Sequence, residues 1–329
     1  MRAIDLRVPV ATPDGTPSGW QIAATVYLPA QASTTAAPVL VLLPGGGYNR
    51  RYFDLPVPGF SQARHHAEQG TVVVALDYLG VGDSSVPPFE ATDLPTVAAT
   101  GHAATIEIVD RLRRGSLAPE AGPLAVRGIV GAGQSLGGHV VAGMQAYHRT
   151  FDAVAFLGSS MAGTVMPARA GAESAAPYED ARASLDAAWV FHWEAVTEAD
   201  AADSPHDLAS LVAADIAGGL PRRTAPPPWG TGTYPGCSTL GLRPEGLAVE
   251  IASVNVPVLL ATGERDVCHP PAVEVATLKA ATDISIFVVP RSAHMHNFSL
   301  NRHLLWGRLD AFVSRTTEGR AGHARSAAT

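Results

Sequence analysis

Short β-branched runs and longer helical patterns alternate along most of the chain. Strand-like hydrophobicity falls at residues 4–10, 20–28, 38–43, 71–76, 124–130, 153–157, 256–261 and 284–289. Helical periodicity falls between and after these runs, at residues 60–70, 94–112, 136–147, 272–280 and 300–314. The first two strands flank a Pro-Asp-Gly-Thr turn, and the later ones alternate with helices. This pattern predicts an α/β fold, with a mostly parallel, doubly wound sheet of about eight strands and an N-terminal β-hairpin.

A stretch of about ninety residues, 161–253, breaks this alternation and is too long for a connection between two core strands. It combines an acidic, alanine-rich helical pattern with an aromatic cluster and a proline-rich loop. We interpret it as a helical cap or lid on a core of residues 1–160 and 254–318, followed by a frayed tail at 319–329. A helical decoration with its own small core is the alternative. As a lid it would line the substrate pocket with aromatic side chains, and the candidates are Trp189, Phe191, Trp193 and Trp229, with Tyr48 from the core.

Composition limits the classes of partner. Of the 329 residues 47% are hydrophobic and 16% charged, and the formal net charge is −7, so a substantial core is available and no basic stripe for nucleic acid is present. Two cysteines are too few for a disulfide framework. The chain start lacks the apolar run of a signal peptide, and no stretch has the roughly 18 apolar residues of a membrane span. We expect a cytoplasmic monomer or homodimer that acts on a small molecule.

Residues 133–137 form a G-x-S-x-G pentapeptide centred on Ser135. A buried-strand pattern precedes it and a helical pattern follows it, which predicts that Ser135 occupies a tight strand-to-helix turn. There the first amides of the helix lie beside the hydroxyl and can hold developing negative charge. A plain glycine-rich turn is the alternative, but the strand–turn–helix setting favours a nucleophile.

A serine nucleophile needs a base, and the base needs an orienting acid. His294 and His296 lie on the loop after the last predicted strand, and Asp266 on the loop after the preceding one. All three therefore lie at the carboxyl ends of parallel strands, where such sheets carry reactive groups. His294 is favoured over His296 because small residues before it allow a tight turn towards Ser135. Glu264 remains an alternative acid. The two histidines would need a third ligand to hold a metal, so we expect no metal site.

Consecutive glycines follow the first buried strand, in the run Pro44-Gly45-Gly46-Gly47. Their amides can close on a substrate oxygen together with the amide of Leu136. A phosphate-binding loop is the alternative, but the run lacks the Gly-Lys-Ser/Thr ending of a P-loop and the spacing of a dinucleotide fingerprint. The later Gly80-Val81-Gly82-Asp83-Ser84 is interpreted as a structural turn.

The glycine run, residues 77–84, the pentapeptide, Asp266 and His294 together resemble an enzyme of the α/β-hydrolase fold. The resemblance spans nearly the whole chain outside the cap. It implies Ser135 as nucleophile, Asp266 as acid and His294 as base, with an oxyanion hole formed by the backbone amides of Gly46, Gly47 and Leu136. Pro44 departs from the family pattern, because many members have histidine before the glycines.

These residues predict hydrolysis of a carboxylic ester, a lactone or a thioester of a small apolar or aromatic substrate through an acyl-enzyme, with no cofactor. A serine at this turn argues against the epoxide hydrolases and dehalogenases of the fold, which use aspartate. The alternatives on the same fold are acyl transfer, carbon–carbon bond hydrolysis, cyclisation and ligand binding without catalysis.

Overall fold

The computed structural model describes residues 1–15, 17–30, 36–119, 121–165, 228–243 and 245–318. Its strands are β1 (Arg2–Ala11), β2 (Pro17–Leu28), β3 (Ala37–Leu43), β4 (Val72–Leu76), β5 (Val126–Gln134), β6 (Ala153–Leu157), β7 (Val258–Arg265) and β8 (Ile284–Ala293). Its α-helices are α1 (Gln62–Glu68), α2 (Leu94–Arg114), α3 (Leu136–His148), α4 (Ala248–Ala252), α5 (Pro271–Val275) and α6 (Arg302–Thr317). Short 3₁₀ helices cover Arg50–Phe53, Phe89–Ala91, Gly236–Leu242 and His296–Phe298.

The strands form one eight-stranded sheet in the order β1-β2-β4-β3-β5-β6-β7-β8. The β1–β2 hairpin and the β2–β4 pair are antiparallel, and all later pairs are parallel. The predicted fold, a mostly parallel doubly wound sheet with an N-terminal hairpin, is therefore confirmed.

Helices cover both faces of the sheet, and each face has its own hydrophobic core. Side chains of β3 alternate between the two: Val39, Val41 and Leu43 face one core, and Leu40 and Leu42 face the other. Residues of α2, α3 and α4 pack in the first core, and residues of α1 and α6 pack in the second. Burial on both faces explains why these strands have uninterrupted apolar sequences.

The last two strands extend beyond their predicted ends at residues 261 and 289. An irregularity in the β7–β8 ladder between Gly263 and Arg265 carries the pairing past polar residues, which hydrophobicity could not indicate. Asp266 and His294 consequently follow their strands directly. Helix α5 ends at Val275, before the predicted 280, because the backbone there tightens into bonds between residues three apart.

Most of the predicted cap, including Trp189, Phe191 and Trp193, lies outside the described residues, as does the tail at 319–329. The described residues of the cap at 228–243 and 245–253 pack against the core. Pro235 lies against Gly80, and Ile251 of α4 is buried in the first core. None of the described helices is long and apolar enough to span a membrane.

Candidate active site

Ser135 lies on the sharp turn between β5 and α3 with φ of 51° and ψ of −122°, a backbone conformation that residues other than glycine rarely adopt. The turn requires very close backbone approach on both sides. A Cβ atom on Gly133 would lie 2.2 Å from the carbonyl carbon of Gly137, and one on Gly137 would lie 2.2 Å from the carbonyl oxygen of Leu43. Glycine at 133 and 137 thus makes the turn possible, which explains the pentapeptide physically.

Hydrogen bonds from the adjoining strand hold this strained residue. The amide of Ser135 donates to the carbonyl oxygen of Leu157 over 3.0 Å, and its own carbonyl accepts the hydroxyl of Ser159 at 2.7 Å. The flanking Gln134 and Leu136 are buried, whereas the Ser135 side chain is half-buried. The turn therefore presents the serine hydroxyl and hides its neighbours.

Asp266 is fully enclosed by hydrogen-bond donors. Its Oδ1 accepts from His294 Nδ1 at 2.7 Å and from the amide of Val267 at 2.8 Å. Its Oδ2 accepts from His296 Nε2 at 2.9 Å and from the amide of Gly263 at 2.6 Å. Burial alone would raise the pKa of Asp266, but the charges and hydrogen bonds of the two imidazoles outweigh burial and hold that pKa below its usual range.

The two histidines bind the same carboxylate through different ring nitrogens. His294 uses Nδ1, which leaves Nε2 on the side of the nucleophile turn, 3.5 Å from Nε2 of Gln134. His296 uses Nε2, and its remaining Nδ1 is buried without a hydrogen-bond partner in the described residues. A base that is oriented by an acid through one nitrogen must reach the nucleophile with the other. The geometry therefore favours His294 over His296.

In the described residues, Ser135 Oγ and His294 are not hydrogen-bonded to each other. Instead the amide group of Gln134 donates to the carbonyl oxygen of His294 at 3.2 Å, and so connects the turn to the histidine loop. Such contacts are often long before substrate binds. The alternative acid Glu264 is exposed and accepts the amide of Arg291 at 2.6 Å.

The glycine loop, residues 45–49, lies directly beside Ser135. A Cβ atom on Gly45 would be 3.1 Å from the Cβ of Ser135. The amide of Tyr48 donates within the loop to the carbonyl of Gly45 at 3.2 Å. By contrast, the amides of Gly46, Gly47 and Leu136 have no acceptor among the described residues. The glycine loop thus lies next to Ser135, and the three predicted oxyanion donors have N–H groups that are free of acceptors in the part of the chain that the structure describes.

A short segment in the later part of the predicted cap binds the glycine loop. In this strap, residues 228–231, the amide of Thr231 donates to the carbonyl of Gly47 at 2.8 Å, and the carbonyl of Trp229 accepts the amide of Asn49 at 2.9 Å. Asn49 Nδ2 also donates to the carbonyls of Pro228 and Gly230, at 3.0 and 2.8 Å. The loop is therefore fixed by a strand-like contact from a distant part of the chain, which local sequence patterns could not indicate.

Two of the predicted pocket residues lie at this contact. Tyr48 and Trp229 are 0% and 3% exposed, and both pack in the second hydrophobic core. The Tyr48 ring also meets the rings of Tyr52 and Phe298 edge to face. In this structure their rings contact core side chains and have almost no accessible surface.

A buried ion pair anchors the residue that directly follows the glycine loop. Arg50 follows the loop and places Nη1 2.5 Å from Asp77 Oδ2 and 2.8 Å from Asp83 Oδ2, while its amide donates to Asp77 Oδ1 at 2.6 Å. Burial raises the pKa of Asp77, although the Arg50 charge opposes that shift. A Cβ atom on Gly82 would lie 2.3 Å from the same carboxylate. The predicted structural turn after Asp77 thus wraps a carboxylate that anchors Arg50.

A separate histidine cluster joins the first and last helices. His65 Nε2 and His66 Nδ1 lie 2.8 and 2.6 Å from the two carboxylate oxygens of Asp310. Their ligand atoms all lie within 4.8 Å of one another, close enough to be considered as a metal site. His66 is fully buried, and His65 is half-buried.

A chain of hydrogen bonds decides how this cluster is protonated. Trp306 Nε1, which can only donate, donates to Asn297 Oδ1; Asn297 Nδ2 donates to Gln62 Oε1; and Gln62 Nε2 lies 3.3 Å from His66 Nε2. His66 Nε2 must then accept, so the proton is on Nδ1 and points at Asp310. The residues fit a hydrogen-bonded clamp between α1 and α6 better than a metal site.

Comparison with known proteins agrees with this architecture. The sequence matches the model of the Alpha/beta hydrolase family over residues 40–303, and no curated protein matches it. A thermophilic esterase from Thermogutta terrifontis has a TM-score of 0.57 at 13% identity, covering 95% of this chain and 99% of that one. The esterase EaEST from Exiguobacterium antarcticum has 0.56 at 16%, with 94% and 98% covered. Proline iminopeptidase from Mycobacterium smegmatis has 0.57 at 18%, with 95% and 99% covered. At these identities the likeness concerns the fold.

Proposed function

Because this chain belongs to the alpha/beta hydrolase family, we propose that it is a serine hydrolase that cleaves a carboxylic ester, lactone or thioester through an acyl-enzyme. The observation that carries the proposal is the hydrogen bond between His294 Nδ1 and Asp266, made beside the strained turn of Ser135. A nucleophile on a sharp turn and an imidazole oriented by a buried carboxylate are the two requirements of this chemistry.

In the first half-reaction Ser135 Oγ attacks the carbonyl carbon, and its proton passes to His294 Nε2. The carbonyl oxygen becomes an oxyanion, which the amides of Gly46, Gly47 and Leu136 stabilise. When the tetrahedral intermediate collapses, the bond to the leaving oxygen or sulfur breaks, and the leaving group takes the proton from His294. Asp266 stays ionised, holds the imidazole tautomer and stabilises the transient imidazolium.

In the second half-reaction water attacks the acyl carbon and gives a proton to His294 Nε2. Collapse of the second oxyanion releases the acid and returns the proton to Ser135. Every step uses water and groups of this chain, so the proposed reaction requires no cofactor. This scheme assigns no charged partner to the leaving group, in keeping with a small apolar or aromatic substrate.

We also retain residues 161–253 as a cap, and Trp189, Phe191, Trp193 and Trp229 as residues that influence substrate selectivity. The strap supports a link between that stretch and the chemistry, because its backbone binds the glycine loop directly. Cytoplasmic location is part of the same proposal and would be tested by fractionation.

A fluorophosphonate probe tests the nucleophile. The probe should label wild-type protein at Ser135, and ester turnover should fall in proportion to the fraction labelled. The Ser135→Ala variant should remain unlabelled. Ser159→Ala is the matched control, because Ser159 is a buried serine whose hydroxyl only supports the turn. Ser159→Ala should keep its labelling, at a slower rate. Labelling that persists in Ser135→Ala, or a folded wild-type protein that resists the probe and hydrolyses no ester, thioester or lactone, would refute the proposal.

A further inference from the structure

The proposed mechanism uses one histidine on Asp266, yet the structure places two there. We propose that His296 is a positioning residue, whose Nε2–H group binds the second oxygen of Asp266 and keeps the first oxygen directed at His294. This inference rests on the proposed function for its catalytic consequence. Its structural content is independent of turnover, because it concerns how one carboxylate is oriented.

The distribution of donors around Asp266 carries the proposal. Each carboxylate oxygen accepts one backbone amide and one imidazole, from Val267 and His294 on Oδ1 and from Gly263 and His296 on Oδ2. Rotation of the carboxylate would break all four bonds. Without His296, Oδ2 would keep a single donor, and three bonds instead of four would fix the orientation of the carboxylate.

The His296 ring has no other hydrogen bond among the described residues. The ring is 1% exposed, and its Nδ1 has no hydrogen-bond partner in the described residues, so the bond to Asp266 is the polar contact that orients it. Gly158, with φ of +59°, makes room for this pair. A Cβ atom at Gly158 would lie 3.0 Å from both Asp266 Oδ2 and His296 Cε1.

The bond also has an electrostatic consequence. A neutral donor on Oδ2 lowers the affinity of Asp266 for a proton and weakens its stabilisation of an imidazolium at His294. Loss of that donor makes the carboxylate more basic and favours the protonated form of His294. The acidic limb of kcat/KM should then move to higher pH, because neutral His294 is the form that acts as base.

Three other ionisable groups lie near the pair: Tyr52, Cys268 and Glu274. Burial raises the pKa of both Tyr52 and Cys268, and the charge of Asp266 adds to each shift. Glu274 also faces Cys268, and its carboxylate accepts the amides of Met161 and Ala162. NMR signals of the individual imidazoles separate a change at the two histidines from a change at these groups.

The test compares His296→Leu with His296→Gln, since a glutamine amide can place a neutral N–H where His296 has Nε2. Imidazole NMR titration and the pH profile of kcat/KM would be recorded for both variants and the wild type. His296→Leu should move the His294 titration and the acidic limb to higher pH. It should also lower kcat roughly ten- to a hundredfold, the effect of one hydrogen bond to a charged group, with KM little changed. His296→Gln should recover most of both.

His66→Gln is the matched control, because His66 is an equally buried histidine on a different carboxylate. It should lower the thermal midpoint and leave the His294 titration in place. The proposal fails if His296→Leu leaves that titration unchanged, if His296→Gln behaves like His296→Leu while folded, or if His66→Gln shifts the titration equally. The NMR readout needs no substrate, so a protein that hydrolyses nothing would refute the proposed function and still test this inference.

Discussion

At Ser135 the backbone conformation costs an L-residue roughly 1–3 kcal/mol, and the proposed role as nucleophile gives a reason to retain a side chain there. Glycine adopts such a conformation freely, although its extra freedom in the unfolded chain offsets about 0.5–1 kcal/mol. We therefore expect Ser135→Gly to have a higher free energy of unfolding than Ser135→Ala, by about 1 kcal/mol, while both lose activity. Urea denaturation of the two variants measures the difference.

Arg149 provides the control, because it also has a positive φ, 49°, at the end of α3 and away from the proposed chemistry. Arg149→Gly should gain stability for the same reason and keep full turnover. If Ser135→Gly is no more stable than Ser135→Ala while Arg149→Gly is stabilised, the turn at Ser135 carries no strain.

The proposed triad should behave as a unit. Ser135→Ala, His294→Ala and Asp266→Asn should each lower ester turnover by roughly 10³-fold or more, because removing any member disables proton transfer from the nucleophile. Double variants should be no worse than the singles, which steady-state kinetics on an activated ester would measure. If His294→Ala retains most activity and His296→Ala does not, the base has been assigned to the wrong histidine.

At the scale of elements, the contact between the glycine loop and the strap makes Asn49 informative. Its Oδ1 caps the 3₁₀ turn at Arg50–Phe53 by accepting the amide of Arg51, while its Nδ2 donates to the strap. Asn49→Asp keeps the cap and loses the donors, whereas Asn49→Ala loses both. Both variants should lower kcat roughly tenfold or more with little change in KM, because the oxyanion donors shift.

Stability should separate the same two variants. Asn49→Ala should be about 1 kcal/mol less stable than Asn49→Asp, the usual value of a cap. Affinity for a trifluoromethyl ketone, which mimics the oxyanion, should fall in both. Wild-type kcat and inhibitor affinity in Asn49→Asp would show that the strap does not position the loop.

Helices α1 and α6 are joined by a pH-dependent contact. Hydrogen bonds from His65 and His66 lower the pKa of Asp310 to about 2 from an ordinary value of 3.8, against the opposing effect of burial. A depressed folded-state pKa stabilises the protein above the unfolded value. That stability, about 2 kcal/mol for a shift of this size, is lost as the pH falls from about 4 to about 2.

Asp310→Asn should remove this contribution. The variant should be less stable than the wild type at pH 6, and the difference should shrink as the pH falls towards 2. Urea denaturation at pH 6, 4 and 3 measures it. Parallel loss of stability in both proteins across this range would mean that Asp310 does not contribute through its charge.

The elements were predictable from sequence because hydrophobic periodicity is local. It indicated all eight strands and five of the helices, and the pentapeptide, Asp266 and His294 followed from their places at strand ends. Contacts between distant segments were not predictable. Asn49 and Gly230 are 181 positions apart, and nothing in either segment indicates the other. The sequence favoured His294 as base, but it did not indicate that His296 would bind the same carboxylate, because that contact depends on where the ring nitrogens lie.

At the scale of the whole molecule, the proposed site is assembled from one half of the sheet, as far as its edge strand β8. The proposed nucleophile follows β5, and the proposed acid and base follow β7 and β8, with β6 between them. Gln134 and His294, which touch beside the nucleophile, are 160 positions apart. The site therefore exists only when four neighbouring strands are paired in register.

That arrangement determines when activity returns during refolding. Long-range pairings form slowly, because the loop entropy must be overcome before the contact is made, whereas local helices form early. After dilution from denaturant, far-ultraviolet circular dichroism should recover first and tryptophan fluorescence next, with fluorophosphonate reactivity returning last. If reactivity instead recovers together with helix content, the nucleophile turn forms its reactive geometry before the histidine loop docks on it.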